Sequence, residues 1–307
     1  MIDPAGLKAL IALADHGTVA AAADALGYTP SAVSQQLKRL HGEIGTPVTE
    51  QVGRTLRLTP AGQTLVGDGR DLLVQWADLE ARLPTAGAAL SGRLSIAGFA
   101  TGVRGLLAPV VAELAEVAPG LQIGLHEIEV DPAIDGVRTG RYDAALVHAW
   151  RGLPAQIPGD LVVDEVCTDR ADVAVRADHP LAAAERVTPA ALIEDLWTVQ
   201  PPGTICHRWF LHMFQAVAHT PPRCWQIAEY ATQLEMVARL GAVALIPRLG
   251  RTGPLEAGSG PATSGGIRFL RVEQPVPQRE VSIVWRHGLR GTAVHRTTLQ
   301  LLRRHSP

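Results

Sequence analysis

The sequence predicts an α/β protein built from a helical head with a β-hairpin, a long linking helix, and a two-lobed α/β domain. Before residue 45, apolar residues recur at helical spacing between clear helix start and stop signals. Leucines then recur every seven residues within a long helical stretch. From Arg93 onward, short β-rich runs alternate with helical stretches, which is typical of βαβ construction.

The composition suits a globular protein, since 47% of the 307 residues are hydrophobic and 19% are charged. No apolar run reaches the roughly 18 residues needed to cross a bilayer, and Leu7–Ala14 lacks the basic leader of a secretory signal. The three cysteines show no CxxC spacing, so we expect a reducing, cytoplasmic interior. A net charge of −2 argues against a chain that coats nucleic acid everywhere, but it leaves room for a local basic patch.

Three helices are predicted in the head. Leu7–Ala14 forms the first, and Thr18 caps a second that ends at Gly27, because glycine accepts a positive φ. Thr29 and Pro30 start the third, with a hydroxyl cap followed by proline at the first helical position. The buried face of the third helix is predicted to be Val33, Leu37 and Leu40. Its other face carries Ser31, Ser34, Gln35, Lys38 and Arg39.

The polar face of the third helix has two interpretations. In a helix–turn–helix, this helix enters the DNA major groove, where serine and glutamine suit base edges and lysine and arginine suit phosphates. The following run VTEQVGRTLRLTP alternates apolar and polar residues around Gly53, so it predicts a hairpin whose tip, Gly53-Arg54, would reach the flanking backbone as a wing. The alternative is a helical bundle whose polar face is only solvated. The residues alone leave both open.

A longer helix is predicted from Pro60 and Gly62 to about Leu83. Its apolar stripe consists of Leu65, Leu72 and Leu79, with Trp76 and Leu83 four residues beyond the last two. Such a stripe needs a partner helix, either from the same chain or from a second copy. The small, flexible run PTAGAALSG, residues 84–92, is predicted to be a hinge linker.

The run GTVAAAADALGYTPSAVSQQLKRLHGEIGTPVTEQVGRTLRLTPAGQTL resembles the winged helix–turn–helix of the LysR-type transcriptional regulators. Its pieces AAAADALGYTPSAVSQQLKRL, EIG and GRTLRLTPAG fall in the order and spacing of that family. Two features depart from the family pattern. The usual Leu-Phe-Glu-Arg strand is here Val48-Thr49-Glu50-Gln51, and polar residues common early in the second helix are replaced by Ala20 and Ala21.

The resemblance implies a DNA-binding transcriptional regulator with promoter DNA and a small-molecule effector as partners. It further implies a homodimer or homotetramer, without membrane attachment, catalytic residues, bound metal or a cofactor other than the effector. The implied domains are a winged helix–turn–helix over 1–60, a dimerising linker helix and hinge over 61–91, and a two-lobed effector-binding domain over 92–307, resembling type 2 periplasmic binding proteins. Lobe I would take about 93–164 and 267–307, and lobe II about 165–266. The expected DNA contacts are Thr29, Pro30, Ser31, Ser34, Gln35, Lys38, Arg39 and Arg54.

Effectors of LysR-type regulators lie between the two lobes of the effector-binding domain. Two places in this sequence match such a site by their chemistry. GFATG ends a strand and opens a helix at Thr101-Gly102, and QPPGT does the same at Gly203-Thr204. Helix N-termini offer unpaired N–H groups and a partial positive charge, so we expect a small anion such as a carboxylate there. The alternative is that both threonines are only helix caps. His148, at the end of a strand, is a further candidate.

Other chemistry is poorly supported by the sequence. Cys206, His207 and His212 match no common metal spacing, and inert thiols are expected at Cys206 and Cys224 rather than a redox switch like that of the family's peroxide-sensing branch. The motifs GxSxG and HExxH and a phosphate-binding glycine loop are absent from the sequence. An alternative function remains, namely a cytoplasmic solute-binding or enzyme-like α/β protein with an incidental helical head.

Overall fold

The computed structural model describes residues 2–52, 55–82, 90–217, 219–251 and 266–307, with the backbone alone at 74, 77–82 and 216. The chain divides into two compact units, Met1–Leu83 and Pro84–Pro307.

Three short helices and a hairpin form the first unit. The helices are α1 (Pro4–His16), α2 (Val19–Leu26) and α3 (Pro30–Ile44). The predicted caps are confirmed: the hydroxyls of Thr18 and Thr29 each accept a backbone N–H three residues on, at 3.2 Å, and Gly27 ends α2 with φ of 69°. Strands β1 (Thr49–Val52) and β2 (Thr55–Leu58) pair antiparallel, as predicted. The hairpin tip, including Arg54, lies outside the described residues.

The long helix α4 (Pro60–Arg82) packs on the three-helix core of the first unit. Leu10, Ala23, Leu37 and Val66 are part of that core. Two glycines allow α4 to approach closely, because a Cβ at Gly62 would overlap the Val48 carbonyl and one at Gly69 would lie 2.5 Å from Leu7 Cδ1. Among the described residues no single helix is long and apolar enough to cross a membrane; α1 and α2, which meet at 119°, pass that test only as a pair.

The second unit is an α/β structure around a ten-stranded sheet. Its strands are β3 (Ser91–Gly98), β4 (Gly120–Glu127), β5 (Ala144–Trp150), β6 (Leu161–Arg176), β7 (Arg186–Val187), β8 (Leu196–Val199), β9 (Arg223–Gln226), β10 (Val243–Pro247), β11 (Ile267–Val272) and β12 (Gln278–Arg286). Its helices are α5 (Ala100–Gly102), α6 (Ala108–Val117), α7 (Val130–Arg138), α8 (Ile205–Phe214), α9 (Tyr230–Leu240) and α10 (Ala293–Arg304), and a π-helical turn, Val103–Leu107, joins α5 to α6. The strand order is β4-β3-β5-β12-β6-β10-β8-β9, with β11 on β6 and β7.

The two lobes share one long strand, β6. Its first part, through Arg170, pairs with β12, and its last part, from Ala171, pairs with β10 and β11. The return crossing is the segment Glu273–Pro277, between β11 and β12. The lobe boundaries at about 164 and 267 stay a prediction from the sequence.

The two lobes contain a repeated local structure. Helix α7 is followed by Gly140 with φ of 72° and then β5, which is parallel to β3. Helix α9 is followed by Gly241 with φ of 65° and then β10, which is parallel to β8. Each lobe thus contains a helix that ends at a left-handed glycine before a buried parallel strand, the position at which glycine costs least.

Candidate functional site: the α3 face and the lobe junction

The polar face of α3 is exposed on a rigid support. Val33, Leu37 and Leu40 are buried, as predicted. Every described candidate for DNA contact is exposed: Thr29, Pro30, Ser31, Ser34, Gln35, Lys38 and Arg39. The spacing of the buried residues therefore presents one continuous polar stripe to solvent.

The hydrogen bonds of this stripe separate its members into two kinds. The Thr29 hydroxyl caps α3, the Ser34 hydroxyl donates to the Pro30 carbonyl at 2.9 Å, and Arg39 pairs with Glu43 at 3.2 Å and with Asp3 at 3.4 Å. The side chains of Gln35 and Lys38 make no hydrogen bond or ion pair among the described residues. These two side chains are the ones ready to bind an outside partner without breaking an existing contact.

Two further residues of the first unit are exposed. Tyr28, which directly precedes the Thr29 cap, is 52% exposed, and Arg57 is exposed on β2. The sequence had not selected Tyr28 as a candidate, although an aromatic residue in a turn between two helices is itself a signal, since turns favour small polar residues. A tyrosine such as Tyr28 can stack on or hydrogen-bond to nucleic acid, and an arginine such as Arg57 can pair with a phosphate.

Helix α4 carries apolar side chains that remain about half exposed. Leu72 and Trp76 are 52% and 50% exposed, whereas Leu65 packs against the core. The Leu79 side chain and Leu83 lie outside the described residues. Exposed leucine and tryptophan four residues apart lie on one helix face, as an interface with another helix requires.

A buried arginine is the centre of the lobe junction. Arg279, on β12, is 1% exposed, and its guanidinium donates to Asp169 Oδ2 at 2.9 and 2.7 Å and to Thr101 Oγ1 at 2.7 Å. It also lies 4.9 Å from the ring centre of Phe99 and 5.5 Å from that of Trp150. Burial acts to lower the Arg279 pKa, but Asp169 opposes this and the pKa is raised, so the arginine stays charged.

Thr101 and Gly102 therefore have structural roles at this corner. The N-cap of α5 is Phe99, without a side-chain hydrogen bond, so the idea that Thr101 is a cap is wrong. Thr101 is 2% exposed and its hydroxyl is taken by Arg279. A Cβ at Gly102 would lie 2.7 Å from side-chain atoms of Phe99 and Leu146, so this glycine serves close packing.

His148 lies beside the same arginine. It is 2% exposed, its ring is 4.5 Å from that of Phe99 in an edge-to-face contact, and its Nδ1 has no hydrogen-bond partner in the described part of the chain. Burial, helped by the positive charge of Arg279, lowers the His148 pKa well below its usual value. His148 is thus neutral at physiological pH.

Thr204 is a helix cap, as the alternative reading had it. Its hydroxyl accepts the His207 N–H at 3.1 Å and donates to the Pro201 carbonyl at 2.9 Å, while Gly203 forms the turn before it with φ of 93°. The structure thus brings Thr101 and His148 together around Arg279, whereas Gly203 and Thr204 lie at the start of α8.

A small cavity lies next to this cluster. It has a volume of about 20 Å³ and is lined by Trp150, Thr198, Val199, Gln200, Cys206, Phe210, Tyr230, Gln233 and Leu245. Two buried polar groups of the lining, the Trp150 indole N–H and the Thr198 hydroxyl, have no hydrogen-bond partner among the described residues. Such groups are costly when buried, so they mark a place where a ligand or water can bind. The volume holds about one water molecule.

Direct contacts hold the lobes together near the cavity. Arg104, after α5, donates to the Gly250 carbonyl at 3.3 Å and to Glu229 at 3.2 Å. A Cβ at Gly250 would lie 2.9 Å from the Thr101 methyl, so the two segments touch. We call this arrangement, in which the two lobes touch at Gly250, the closed arrangement.

Both units match known families. Residues 5–63 match the family model "Bacterial regulatory helix-turn-helix protein, lysR family", and residues 87–307 match "LysR substrate binding domain". The chain belongs to the LysR family. It is a DNA-binding transcriptional regulator with an effector-binding domain and not an enzyme, so the alternative of a solute-binding or enzyme-like protein with an incidental head is wrong.

Two regulatory proteins align with most of the chain. It is 28% identical over 288 residues to a hydrogen peroxide-inducible genes activator of Dickeya chrysanthemi, an alignment that covers 93% of this chain and 90% of that one. It is 32% identical over 236 residues to a small neutral protease regulatory protein of Streptomyces coelicolor, covering 76% and 69%.

Solved structures show the same fold. A full-length OxyR variant from Pseudomonas aeruginosa matches with a TM-score of 0.75 at 22% identity, covering 99% of this chain and 95% of that one. Full-length CbnR in complex with its target DNA matches with a TM-score of 0.59 at 19% identity, covering 99% and 100%.

Proposed function

We propose that α3 of this LysR-family regulator is the DNA-reading helix, with Gln35 and Lys38 as its main contacts. The observation that carries the proposal is the exposed polar stripe, within which these two side chains are uncommitted. Gln35 suits an adenine edge, whereas Lys38 suits a phosphate. Ser31 and Ser34 lie on the same stripe, and Thr29 and Pro30 place its first turn.

The two roles predict different mutant behaviour. Gln35→Ala changes the ranking of operator sequences, with a discrimination loss of about 1–3 kcal/mol at one base pair, whereas Lys38→Ala weakens all duplexes and lowers the salt slope by about one. Fluorescence anisotropy with an operator set at several salt concentrations measures both. Lys8→Ala, on α1, is a control for loss of one positive charge. Identical operator ranking and identical salt slopes in the two α3 variants would show that α3 does not face the DNA.

The effector site, we propose, is the cavity at the lobe junction. The unpartnered Trp150 N–H is a donor and the Thr198 hydroxyl can donate, so they suit a small molecule with an acceptor group, such as a carboxylate or carbonyl. Arg279 contributes a positive field but is already paired with Asp169, and Glu129 nearby has a pKa raised by burial and by Asp131. Hydrogen bonding thus contributes more to recognition here than net charge.

Conservative variants test this site. Trp150→Phe removes the N–H and keeps an aromatic ring, and Thr198→Val removes the hydroxyl at constant shape. Both should abolish the thermal shift produced by a hit from a panel of small carboxylates and aromatic acids, while operator binding without the ligand is retained. Val163→Thr, at an exposed site of the same unit, is a matched control. A full shift in both variants would place the effector elsewhere.

Relatives named as peroxide-inducible activators, and an H2O2-bound OxyR mutant from Corynebacterium glutamicum, raise peroxide as a stimulus. Burial raises the pKa of the Cys206 thiol, although Arg279 opposes this, and a protonated thiol is a poor nucleophile. Burial also raises the pKa of Cys224, which is exposed on β9. We therefore propose a non-covalent effector. Because Cys206 lines the cavity, Cys206→Ser can change the affinity for the effector but should not abolish the response.

We also propose a homodimer, or a tetramer built from two dimers, formed through the exposed face of α4, and a cytoplasmic location. The apolar face supports the first proposal. A promoter target and three cysteines outside any disulfide support the second.

A further inference from the structure

An arginine-rich pocket lies beside the crossings between the lobes. It has a volume of about 420 Å³, which is within the usual range for small-molecule sites. Its charged lining residues are Arg170 and Asp172 of β6, Arg186 of β7, Arg248 after β10, Arg271 of β11, and Glu273. The return crossing supplies further lining, including Gln274 and Pro277.

The charge of this pocket is unbalanced. Among the described lining residues four arginines stand against two carboxylates, in a chain whose net charge is −2, and Arg271 has a contact of its own. Asp172 is already bound by Arg248, at 2.9 Å, and also by Arg251. Within the described part of the chain, Glu273 pairs with Arg186, at 3.9 Å between exposed side chains.

One arginine of the pocket has no side-chain partner in the described part of the chain. Arg170 is exposed, and within the described ranges its side chain makes neither a hydrogen bond nor an ion pair. Burying or concentrating positive charge without a counter-ion is unfavourable, so the pocket gains from an anion. Planar guanidinium groups bind oxyanions through paired, charge-assisted hydrogen bonds.

We propose that this pocket binds a small multivalent oxyanion, carrying either phosphoryl groups or several carboxylates. The site is separate from the effector cavity. Asp169, which faces the Arg279 cluster, and Asp172, which faces this pocket, are three residues apart on β6, so their side chains leave opposite faces of the strand.

The position of the site gives the anion a regulatory role. The pocket is lined by both crossings, β6 and the segment Glu273–Pro277, so an anion would link the two connections between the lobes. Arg248 is followed directly by Leu249 and Gly250, and Gly250 touches Thr101 and Arg104 of the other lobe. An anion that draws Arg248 from Asp172 therefore acts on the contact that closes the lobes.

The test is isothermal titration calorimetry of the full-length protein with inorganic phosphate, pyrophosphate and citrate at constant ionic strength. We expect saturable binding of at least one of them, and the arms distinguish phosphoryl from polycarboxylate ligands. Arg170→Gln and Arg186→Gln should each weaken binding about tenfold, the loss of one charge-assisted contact. Neither of these arginines is paired with a buried acid, whereas Arg248 is paired with the buried Asp172, so Arg248 is left unchanged in this test.

Two further variants exclude trivial explanations. Glu273→Gln removes a repelling carboxylate and should tighten binding several-fold, a gain that misfolding cannot imitate. Arg290→Gln removes an exposed arginine outside the pocket and should leave binding unchanged. The proposal is overturned if none of the three anions binds saturably, if Arg290→Gln weakens binding as much as Arg170→Gln, or if Arg170 affects only the affinity for duplex DNA.

Discussion

The buried pair at the lobe junction makes a strong prediction about stability. Asp169→Ala removes the partner of Arg279 and leaves a charged guanidinium in a site where both side chains were at most 1% exposed. An unpaired buried charge of this kind costs about 3–5 kcal/mol of the free energy of unfolding. The double variant Asp169→Leu with Arg279→Met fills the site with apolar side chains, so the expected net change is small. In the double variant the Thr101 hydroxyl loses its partner Arg279, which lowers the free energy of unfolding by about 1 kcal/mol.

The double-mutant cycle made of Asp169→Leu, Arg279→Met and their double variant should therefore show strong coupling, about 2–4 kcal/mol between the two positions. Urea unfolding followed by tryptophan fluorescence reports this unit well, since five of the six tryptophans (Trp150, Trp197, Trp209, Trp225 and Trp285) lie within it. An unchanged urea slope in each variant shows that the same transition is compared. If Asp169→Ala costs less than about 1 kcal/mol, or the double variant loses as much as the two single variants added, the pair is not a charge-compensated unit.

Three more predictions follow from single positions. Gly62→Ala should destabilise the first unit by about 2 kcal/mol or more, because the new methyl group overlaps the Val48 carbonyl. Gly67→Ala, on the same helix, meets nothing within 4 Å and should stabilise the unit by up to about 1 kcal/mol. Thermal unfolding measures both changes. His148 has a folded-state pKa below its unfolded value, so the unfolded chain binds more protons and stability falls as the pH drops below about 6.5; His148→Phe should flatten that part of the pH profile of unfolding. Leu72→Lys should dissociate the dimer in sedimentation velocity and weaken operator binding together, and monomers with full operator affinity would contradict a dimer through α4.

Local signals in the first unit were readable from the sequence. The helix starts are marked by Thr18 and Thr29, whose hydroxyls each accept a hydrogen bond from three residues on, and one helix end is marked by Gly27 with its positive φ. The residue type at each position is therefore enough to predict the end of the helix. The buried stripe of α3 follows from helical spacing alone. For Thr204 the same local reasoning offered a helix cap as the alternative to effector binding, and the cap hydrogen bond is present.

The lobe junction could not be read in this way, because its contacts are distant along the chain. Arg279 and Asp169 are separated by 110 positions, and Arg279 and Thr101 by 178. Arg279 was therefore absent from the candidates, and Thr101 was interpreted by its local position at a strand end. One signal was present: Asp169 and Arg279 are charged residues within runs that form buried strands, and such residues are rarely buried without a partner.

The closed arrangement itself can be tested at Gly250, which touches Thr101 across the lobes. Gly250→Val places branched carbon atoms where even a Cβ would lie 2.9 Å from the Thr101 methyl, and overpacking of this kind costs about 1–3 kcal/mol. Separation of the lobes relieves that strain, so the open population should rise about five-fold to a hundred-fold. Cys206 lines the cavity, and its labelling rate with N-ethylmaleimide, read by peptide mass spectrometry, should rise accordingly. Cys224 is exposed in either arrangement and should label at an unchanged rate, as should both thiols in Gly159→Ala, whose site is open. If Cys206 labels no faster in Gly250→Val while the fold is intact, the Gly250 contact does not control access to the cavity.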